Sequence, residues 1–340
     1  MRAHDPFSIL FTRRMRRFVD QMTAVRAGER DGVHQARIAS RRVREVLPIL
    51  RSKAAADPVR KLRRGMRRAT GVLGPVRESD VTLALADERM EKADASTRPL
   101  LGRVRAALER ERARRLDDLV DVLTITRVDR LERLSGRLVD ALAEDPDGDG
   151  GRARLAKRLS RRARQLTEAM DEAGVIFLAD RLHDVRIAVK KLRYALELAG
   201  EARLARTAVQ VKRLKAAQDD LGHLHDLQVM GDYIRRHADA KSPAAIRRLD
   251  ALEASIDEEN RRLHGEYLAS QPQLLALASD VIARLAPQVA APPAPAPRSF
   301  TRPASARAAS GRAVSGRSAN LAQDARRGKP AELAGARGRR

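Results

Sequence analysis

The chain has 340 residues, of which 69 are Lys or Arg and 45 are Asp or Glu, so its formal charge is +24. A compact fold with this charge repels itself unless an anion neutralises it, so we expect a polyanionic partner: polyphosphate, nucleic acid or an acidic membrane surface. The absence of Cys excludes disulfide bonds, thiol catalysis and thiolate metal sites.

The N-terminal segment MRAHDPFSILFTRRMRR contains an apolar run of only about five residues, too short for a signal peptide or a membrane span. From Asp5 to about Ala286, apolar residues recur at helical spacing, and no stretch alternates as a half-buried strand would. We therefore predict a cytoplasmic, all-α protein body without membrane insertion.

Residues 145–151, DPDGDGG, form a turn-rich linker that divides the body, residues 1–286, into halves of about 5–144 and 152–286. The first half predicts helices near 6–27, 33–52, 57–73, 78–93, 97–123 and 126–144. The second half predicts helices near 152–172, 179–200, 202–221, 223–239, 243–267 and 271–285. Pro48 should kink the second helix, whereas Glu197 at the matching position should not.

The last segment, residues 287–340, is a mixture of Pro, Ala, Ser, Gly and Arg that cannot bury a core. It holds 11 basic and 2 acidic residues and so carries +9 of the total charge. We predict a disordered basic tail.

The two halves are related by an internal repeat. The segment VHQARIASRRVREVLPIL at 33–50 matches LHDVRIAVKKLRYALELA at 182–199, and LGPVRESDV at 73–81 matches LGHLHDLQV at 221–229. The offsets of 149 and 148 residues preserve the order and spacing of both motifs. The repeat predicts two pseudo-symmetric helical-bundle halves within one domain.

The first motif of each repeat predicts an amphipathic helix with a cationic stripe about 15 Å long, a spacing that suits an extended run of phosphates. In the first copy, the cationic stripe consists of His34, Arg37, Arg41 and Arg44. The opposite, apolar face consists of Ala36, Ala39, Val43, Leu47 and Leu50. In the second copy, the cationic stripe consists of His183, Arg186, Lys190 and Arg193. Its apolar face consists of Val185, Ala188, Leu192, Leu196 and Ala199.

These residue types suit phosphate binding. A guanidinium group binds two oxygens of one phosphate, and an ammonium group acts as a point charge. A histidine donates to a phosphate oxygen, and a crowded anion raises the histidine pKa, so binding should weaken as pH rises. The alternative is an ordinary solvated helix face, but the duplicated pattern places a basic residue at each step and contains no acidic partner.

A second basic wall is predicted on the next helix of each half. Its members in the first half are Lys61, Arg64 and Arg67, and Lys212 and Lys215 align with Arg64 and Arg67 in the second half. The alternative for these residues is generic surface charge.

The second motif of each repeat is predicted to join two helices, with Gly74 or Gly222 in the left-handed turn. Glu78, Asp80 and Asp226 would then lie at a helix start, where carboxylates favour the helix dipole or orient a neighbouring arginine.

His223 and His225 next to Asp226 invite a metal site, but residues two apart lie on different faces of a helix and no His-x-x-x-His pair accompanies them. We therefore predict neither a metal site nor a cofactor. His225 aligns with Arg77, so phosphate contact is the prediction for both residues.

At these motifs, VHQARIASRRVR and LHDVRIAVKKLRYALE, the chain resembles the CHAD family, the conserved histidine α-helical domain, over about residues 5–286. The resemblance implies two four-helix-bundle-like halves around a basic cavity that binds inorganic polyphosphate, often at polyphosphate granules. The ligand contacts that it implies are His34, Arg37, Arg41, Arg42, Arg44, His183, Arg186, Lys190, Lys191 and Arg193.

Two other functions compete with polyphosphate binding. A nucleic-acid-binding protein would use the basic body and the arginine-rich tail, but single-strand binders need stacking platforms, and only Tyr194 lies in a signature helix. A metal-dependent phosphohydrolase would need clustered carboxylates, for which Glu78, Asp80 and Asp226 are the candidates. The chain has no ExExK or Walker A motif, so we predict a protein that is not an enzyme. No feature of the sequence indicates an oligomeric state.

Overall fold

The structure, a computed structural model, describes residues 5–27, 29–145, 150–238 and 241–291. Within these ranges the regular structure is entirely helical, without a β-strand. The predicted all-α fold class is therefore confirmed.

The helices are α1 (Pro6–Arg26), α2 (Arg30–Val46), α3 (Ala56–Lys92), α4 (Arg98–Val122), α5 (Ile125–Glu144), α6 (Gly150–Ala173), α7 (Ala179–Glu201), α8 (Ala208–His237) and α9 (Pro243–Asp280). A π-helical turn, Val281–Leu285, and a short helix α10, Ala286–Ala290, continue the last of these. The described helical structure thus extends slightly beyond residue 286.

The predicted helix joints at Gly74 and Gly222 are wrong. Helix α3 runs through Gly74 and Pro75, and α8 runs through Gly222. Leu73 and Val76 are fully buried on either side of Pro75 and remain in helical register. Their burial offsets a cost of about 3 kcal/mol for a proline inside a helix. A carboxylate near these glycines therefore does not lie at a helix start.

Two other predicted breaks also fall inside longer helices. No break separates the predicted helices 243–267 and 271–285: α9 runs through Pro272 to Asp280 and the π-helical turn continues it, while Tyr267, Leu274 and Leu277 keep one face buried across the proline. The helix predicted from residue 202 begins only at Ala208, since residues 202–207 form the connection from α7.

Pro48 does not kink a helix, contrary to the sequence prediction. Helix α2 ends at Val46 with Leu47 as its C-cap, so Pro48 lies beyond the helix end. Leu47, the residue before Pro48, keeps helical φ and ψ, but Pro48 has no backbone N–H to donate to the preceding turn, which explains the early end. The matching helix α7 has no proline and continues to Glu201.

Helix packing places the two signature helices beside each other. In the first half α2 packs between α1 and α3, and in the second half α7 packs between α6 and α8. Contacts between the two halves include those of α2 with α7, of α3 with α8 and of α4 with α8. The apolar faces predicted for α2 and α7 are buried in the core, which confirms them. The pseudo-symmetry of the halves stays a prediction.

Some predicted features lie outside the described residues. These are residues 146–149 of the linker and the tail from residue 292 onward. Over the described ranges, no helix combines the length and the apolar character needed to cross a bilayer.

Candidate functional site

The cationic faces of α2 and α7 meet where these helices pack together. Arg37 of α2 lies close enough to Arg186 of α7 for the two charges to interact, and Arg41 of α2 interacts likewise with Arg186 and Lys190. Helix α3 adds Arg77 and α8 adds His225 to the same group. We call this set the central basic cluster; its members are His34, Arg37, Arg41, Arg77, His183, Arg186, Lys190 and His225.

Arg37 is a half-buried arginine at the centre of the cluster's charge interactions, with Arg41, Arg77 and Arg186 as its charged neighbours. Burial and the charge of Arg41 lower the pKa of Arg37 to about 10. Its Nε atom is buried and has no hydrogen-bond partner among the described residues. A buried donor without an acceptor is unfavourable, so Arg37 is poised to donate to an anion.

Lys190 lies beside Arg41, Arg186 and Arg37. Burial and these neighbouring positive charges lower the pKa of Lys190 to about 7. The amine is therefore only partly protonated at neutral pH, and an anion placed against it would restore its positive charge.

Burial and neighbouring positive charges lower the pKa of each of the three histidines of the cluster, which favours the neutral ring. The rings of His183 and His225 lie with their centroids 5.0 Å apart. Burial and the charge of Arg186 lower the pKa of His225 to about 4, and also lower the pKa of His183. Burial and Arg77 lower the pKa of His34, whose buried Nδ1 has no hydrogen-bond partner among the described residues. The protonation expected from the sequence would thus require a bound anion.

The carboxylates of the second repeat motif orient arginines. Asp80 accepts a hydrogen bond of 2.6 Å from Arg112 Nε, and Glu78 lies 3.3 Å from Arg115 Nη1. This arginine-orienting role was predicted and is confirmed, whereas the proposed role at a helix start is wrong because both residues lie inside α3. Asp226 lies beside Arg186, and burial raises the pKa of Asp226.

Arg42 and Arg193 already have a protein partner, Glu197. Arg193 Nη1 donates to Glu197 Oε1, and Arg193 Nε donates to Gln218 Oε1 at 3.0 Å. Arg42 Nη2 lies 3.7 Å from Glu197 Oε2. The Arg193 guanidinium also stacks over the ring of Tyr194 at 4.6 Å. Sequence reasoning missed Glu197 as part of the site, although its alignment with Pro48 marked a difference between the halves.

The remaining predicted contacts lie outside the central basic cluster. Lys191, Lys212 and Lys215 are exposed, and Lys61 pairs with Asp57 at 2.6 Å. Arg64 and Arg67 line a separate cavity at the start of α3. Arg44, exposed in the last turn of α2, interacts with both Arg41 and Arg67.

His223 and His225 of α8 have different partners. His223 Nε2 lies 2.8 Å from Glu259 Oε1 on α9, whereas His225 lies against His183 on α7. In the described part of the chain, no three His, Asp or Glu side chains come together in a way that could hold a metal ion.

A model of the CHAD domain matches residues 10–235 of the chain. The chain belongs to the CHAD domain family. Two curated proteins of Mycobacterium tuberculosis, from strains CDC 1551 / Oshkosh and H37Rv, are each 27% identical to it over 230 residues. Both are named as uncharacterized proteins, and the match covers 65% of this chain and 43% of each relative. This CHAD protein therefore spans less than half the length of these relatives.

Two solved structures share its fold. The crystal structure of the CHAD domain from the plant Ricinus communis has a TM-score of 0.52 and 23% identity, with 82% of this chain and 91% of the plant chain covered. PptA from Streptomyces chartreusis has a TM-score of 0.58 and 16% identity, with 79% of this chain and 98% of PptA covered. At these identities the likeness concerns the fold alone.

Proposed function

We propose that this CHAD protein binds inorganic polyphosphate at the central basic cluster. The observation that carries the proposal is the convergence of α2, α3, α7 and α8 on one half-buried group of cations, in which burial and mutual repulsion lower the pKa of Arg37 and of Lys190. Such a group is electrostatically unfavourable when empty and favourable when a chain of negative charges neutralises it.

Each side chain has a defined role in this binding mode. Arg37 and Arg186 grip phosphate oxygens through two parallel N–H groups, and Lys190 supplies a point charge. The neutral histidines donate hydrogen bonds through one ring nitrogen. A linear chain of phosphates can contact the stripes of α2 and α7 together, because these helices pack against each other.

We propose further that the protein holds polyphosphate without cleaving it and acts at polyphosphate granules. The clustered carboxylates that a metal-dependent hydrolase needs are replaced by carboxylates paired with arginines, Asp80 with Arg112 and Glu78 with Arg115. Incubation of the full chain with tripolyphosphate and Mg²⁺ is expected to release no orthophosphate. Turnover above that of a heat-inactivated sample would reject this part of the proposal.

A competition experiment separates polyphosphate from nucleic acid as the ligand of the cluster. The affinity of the full chain for long-chain polyphosphate is measured with and without duplex DNA or RNA at equal phosphate concentration. We expect polyphosphate binding to persist. Displacement of polyphosphate by nucleic acid at equal phosphate concentration would contradict the proposal.

The cluster variant is R37Q/R186Q, which removes two charges and keeps a polar side chain at each position. We expect its affinity for polyphosphate to fall by at least roughly a hundredfold, since each charged hydrogen bond contributes about 1.5–3 kcal/mol. The matched control is R247Q/R248Q, which alters two exposed arginines on α9. Circular dichroism checks that both variants keep their helices. Equal affinities of the two variants would refute the site.

A further inference from the structure

A second arginine-rich feature lies at the start of α3, apart from the central basic cluster. It is a cavity of about 550 Å³ between the segment that follows α2 and the first turns of α3. Its lining is mostly cationic: Leu50, Arg51, Ser52, Ala56, Val59, Arg60, Arg63, Arg64 and Arg67.

Helical spacing directs four of these arginines to one side of α3. Arg60, Arg63, Arg64 and Arg67 occupy positions separated by three or four residues and so share a helix face. Met66 and its apolar neighbours bury the opposite face. The arrangement is therefore a consequence of the sequence pattern and not a chance rotamer choice.

The cavity has little internal compensation for its charge. Asp57 pairs with Arg60 and with Lys61. Arg51, Arg63, Arg64 and Arg67 form no ion pair with a carboxylate anywhere in the described ranges. A concave surface with several uncompensated guanidinium groups is suited to an anion that carries several charges.

Pro48 lies where the chain leaves α2 for this cavity. Helix α2 ends at Val46, and beyond Pro48 the side chain of Leu50 is buried and Arg51 lines the cavity. The carbonyl oxygen of Ile49 accepts a hydrogen bond of 2.8 Å from Arg154 Nε on α6, which holds this turn. In the second half, α7 continues as a helix over the aligned residues.

Arg44 connects the cavity to the central basic cluster. It occupies the last turn of α2, on the same stripe as Arg37 and Arg41, and is exposed. The charges of Arg41 on one side and of Arg67 and Arg63 on the other all reach Arg44. A continuous line of guanidinium groups therefore runs from the cluster along α2 to α3.

We propose that a polyphosphate chain held at the central basic cluster continues over Arg44 into the arginine cavity, so that long chains bind more tightly than short ones. This inference rests on the proposed function. Each additional cation that a phosphate neutralises releases counterions and adds affinity. Arg37 and Arg44 are separated by roughly 10 Å along the helix axis, so a short chain gains contacts at the cluster only.

The test uses the full chain with R63Q/R67Q, which removes two exposed charges from the cavity, and R247Q/R248Q as the matched control. Affinities for long-chain polyphosphate and for tripolyphosphate are measured by titration calorimetry at several salt concentrations. We expect R63Q/R67Q to lower the affinity for the long chain by roughly tenfold and to reduce the slope of log affinity against log salt. Tripolyphosphate affinity should remain that of the wild type.

Two outcomes would overturn the inference. They are unchanged long-chain affinity in R63Q/R67Q and an equal loss of affinity for both chain lengths. R37Q/R186Q, measured with tripolyphosphate alone, tests the proposed function independently. The cavity can thus fail as a subsite while the cluster remains the binding site.

Discussion

Arg42 Nη2 on α2 lies 3.7 Å from Glu197 Oε2 on α7, so a carboxylate joins the two signature helices next to the central basic cluster. The side chain of Glu197 is 12% exposed and also pairs with Arg193, which is 14% exposed. The protein thus carries its own anion at a position where the sequence predicts phosphate contacts, and that anion competes with a ligand for both arginines.

Replacing Glu197 should therefore have opposite effects on binding and on stability. In E197Q, Arg42 and Arg193 are released from the carboxylate, and we expect polyphosphate affinity to rise severalfold, measured by titration calorimetry. The free energy of unfolding should fall by about 1–3 kcal/mol because two mostly buried guanidinium groups lose their charged partner. E172Q, which removes a carboxylate paired with the exposed Arg181, is the control for net charge. An affinity gain in E172Q as large as in E197Q would contradict this prediction.

The lowered pKa of Lys190 leads us to expect that the protein takes up a proton when polyphosphate binds. The pKa of Lys190 is lowered to about 7 in the unliganded protein, and phosphate oxygens against the amine raise it. At a pH between the pKa of Lys190 in the free protein and its higher pKa in the complex, binding of the ligand is coupled to uptake of a proton. The affinity therefore falls as pH rises from about 7 to 9. Calorimetry at pH 8 in two buffers of different ionisation enthalpy should reveal this uptake. K190R, which stays charged, should show less of it, and equal uptake in both proteins would assign the proton to another group.

The histidines predict a second pH dependence on the acid side. Burial and Arg186 lower the pKa of His225 to about 4, and the pKa of His183 is also lowered. A bound polyanion raises the pKa of both histidines, so binding is coupled to proton uptake at a pH above their pKa in the free protein. The affinity should therefore increase as pH falls from 7 to 5. H183N/H225N should flatten this increase. H223N, which removes the histidine paired with Glu259, should retain it; a flattened profile in H223N would refute the assignment.

Glu45 predicts a loss of stability that is separable from binding. Its carboxylate, 7% exposed, accepts from Arg158 Nε at 2.7 Å and lies 2.6 Å from Arg162 Nη1, which joins α2 to α6. In E45Q the buried Arg162 loses its charged partner, so the free energy of unfolding should fall by about 3–5 kcal/mol in urea denaturation. D57N, which breaks an exposed pair with Arg60 and Lys61, should leave the free energy of unfolding almost unchanged because solvent screens the pair. Similar losses in the two variants would contradict this account.

The apolar faces of α2 and α7 could be predicted from the local sequence alone. Ala39 and Val43 on α2, and Ala188 and Leu192 on α7, follow the helical period, and all of them are buried as predicted. The helix breaks predicted at Gly74 and Gly222 are wrong, because a glycine or a proline indicates only the local free-energy cost of continuing a helix. Burial of Leu73 and Val76 across the break exceeds that cost, and it depends on α3's neighbours.

The amino-acid sequence by itself determined the all-α fold, the repeat, the family and the identity of the basic residues on α2 and α7. Those properties follow from residue type and from the helical period, both of which are local. Only the tertiary structure decided which cations share one half-buried cluster. It also decided that Glu197 forms ion pairs with Arg42 and Arg193, and that Arg64 and Arg67 line a separate cavity. Burial and charge coupling depend on the distance between helices that are far apart in the chain, and that distance is set by packing.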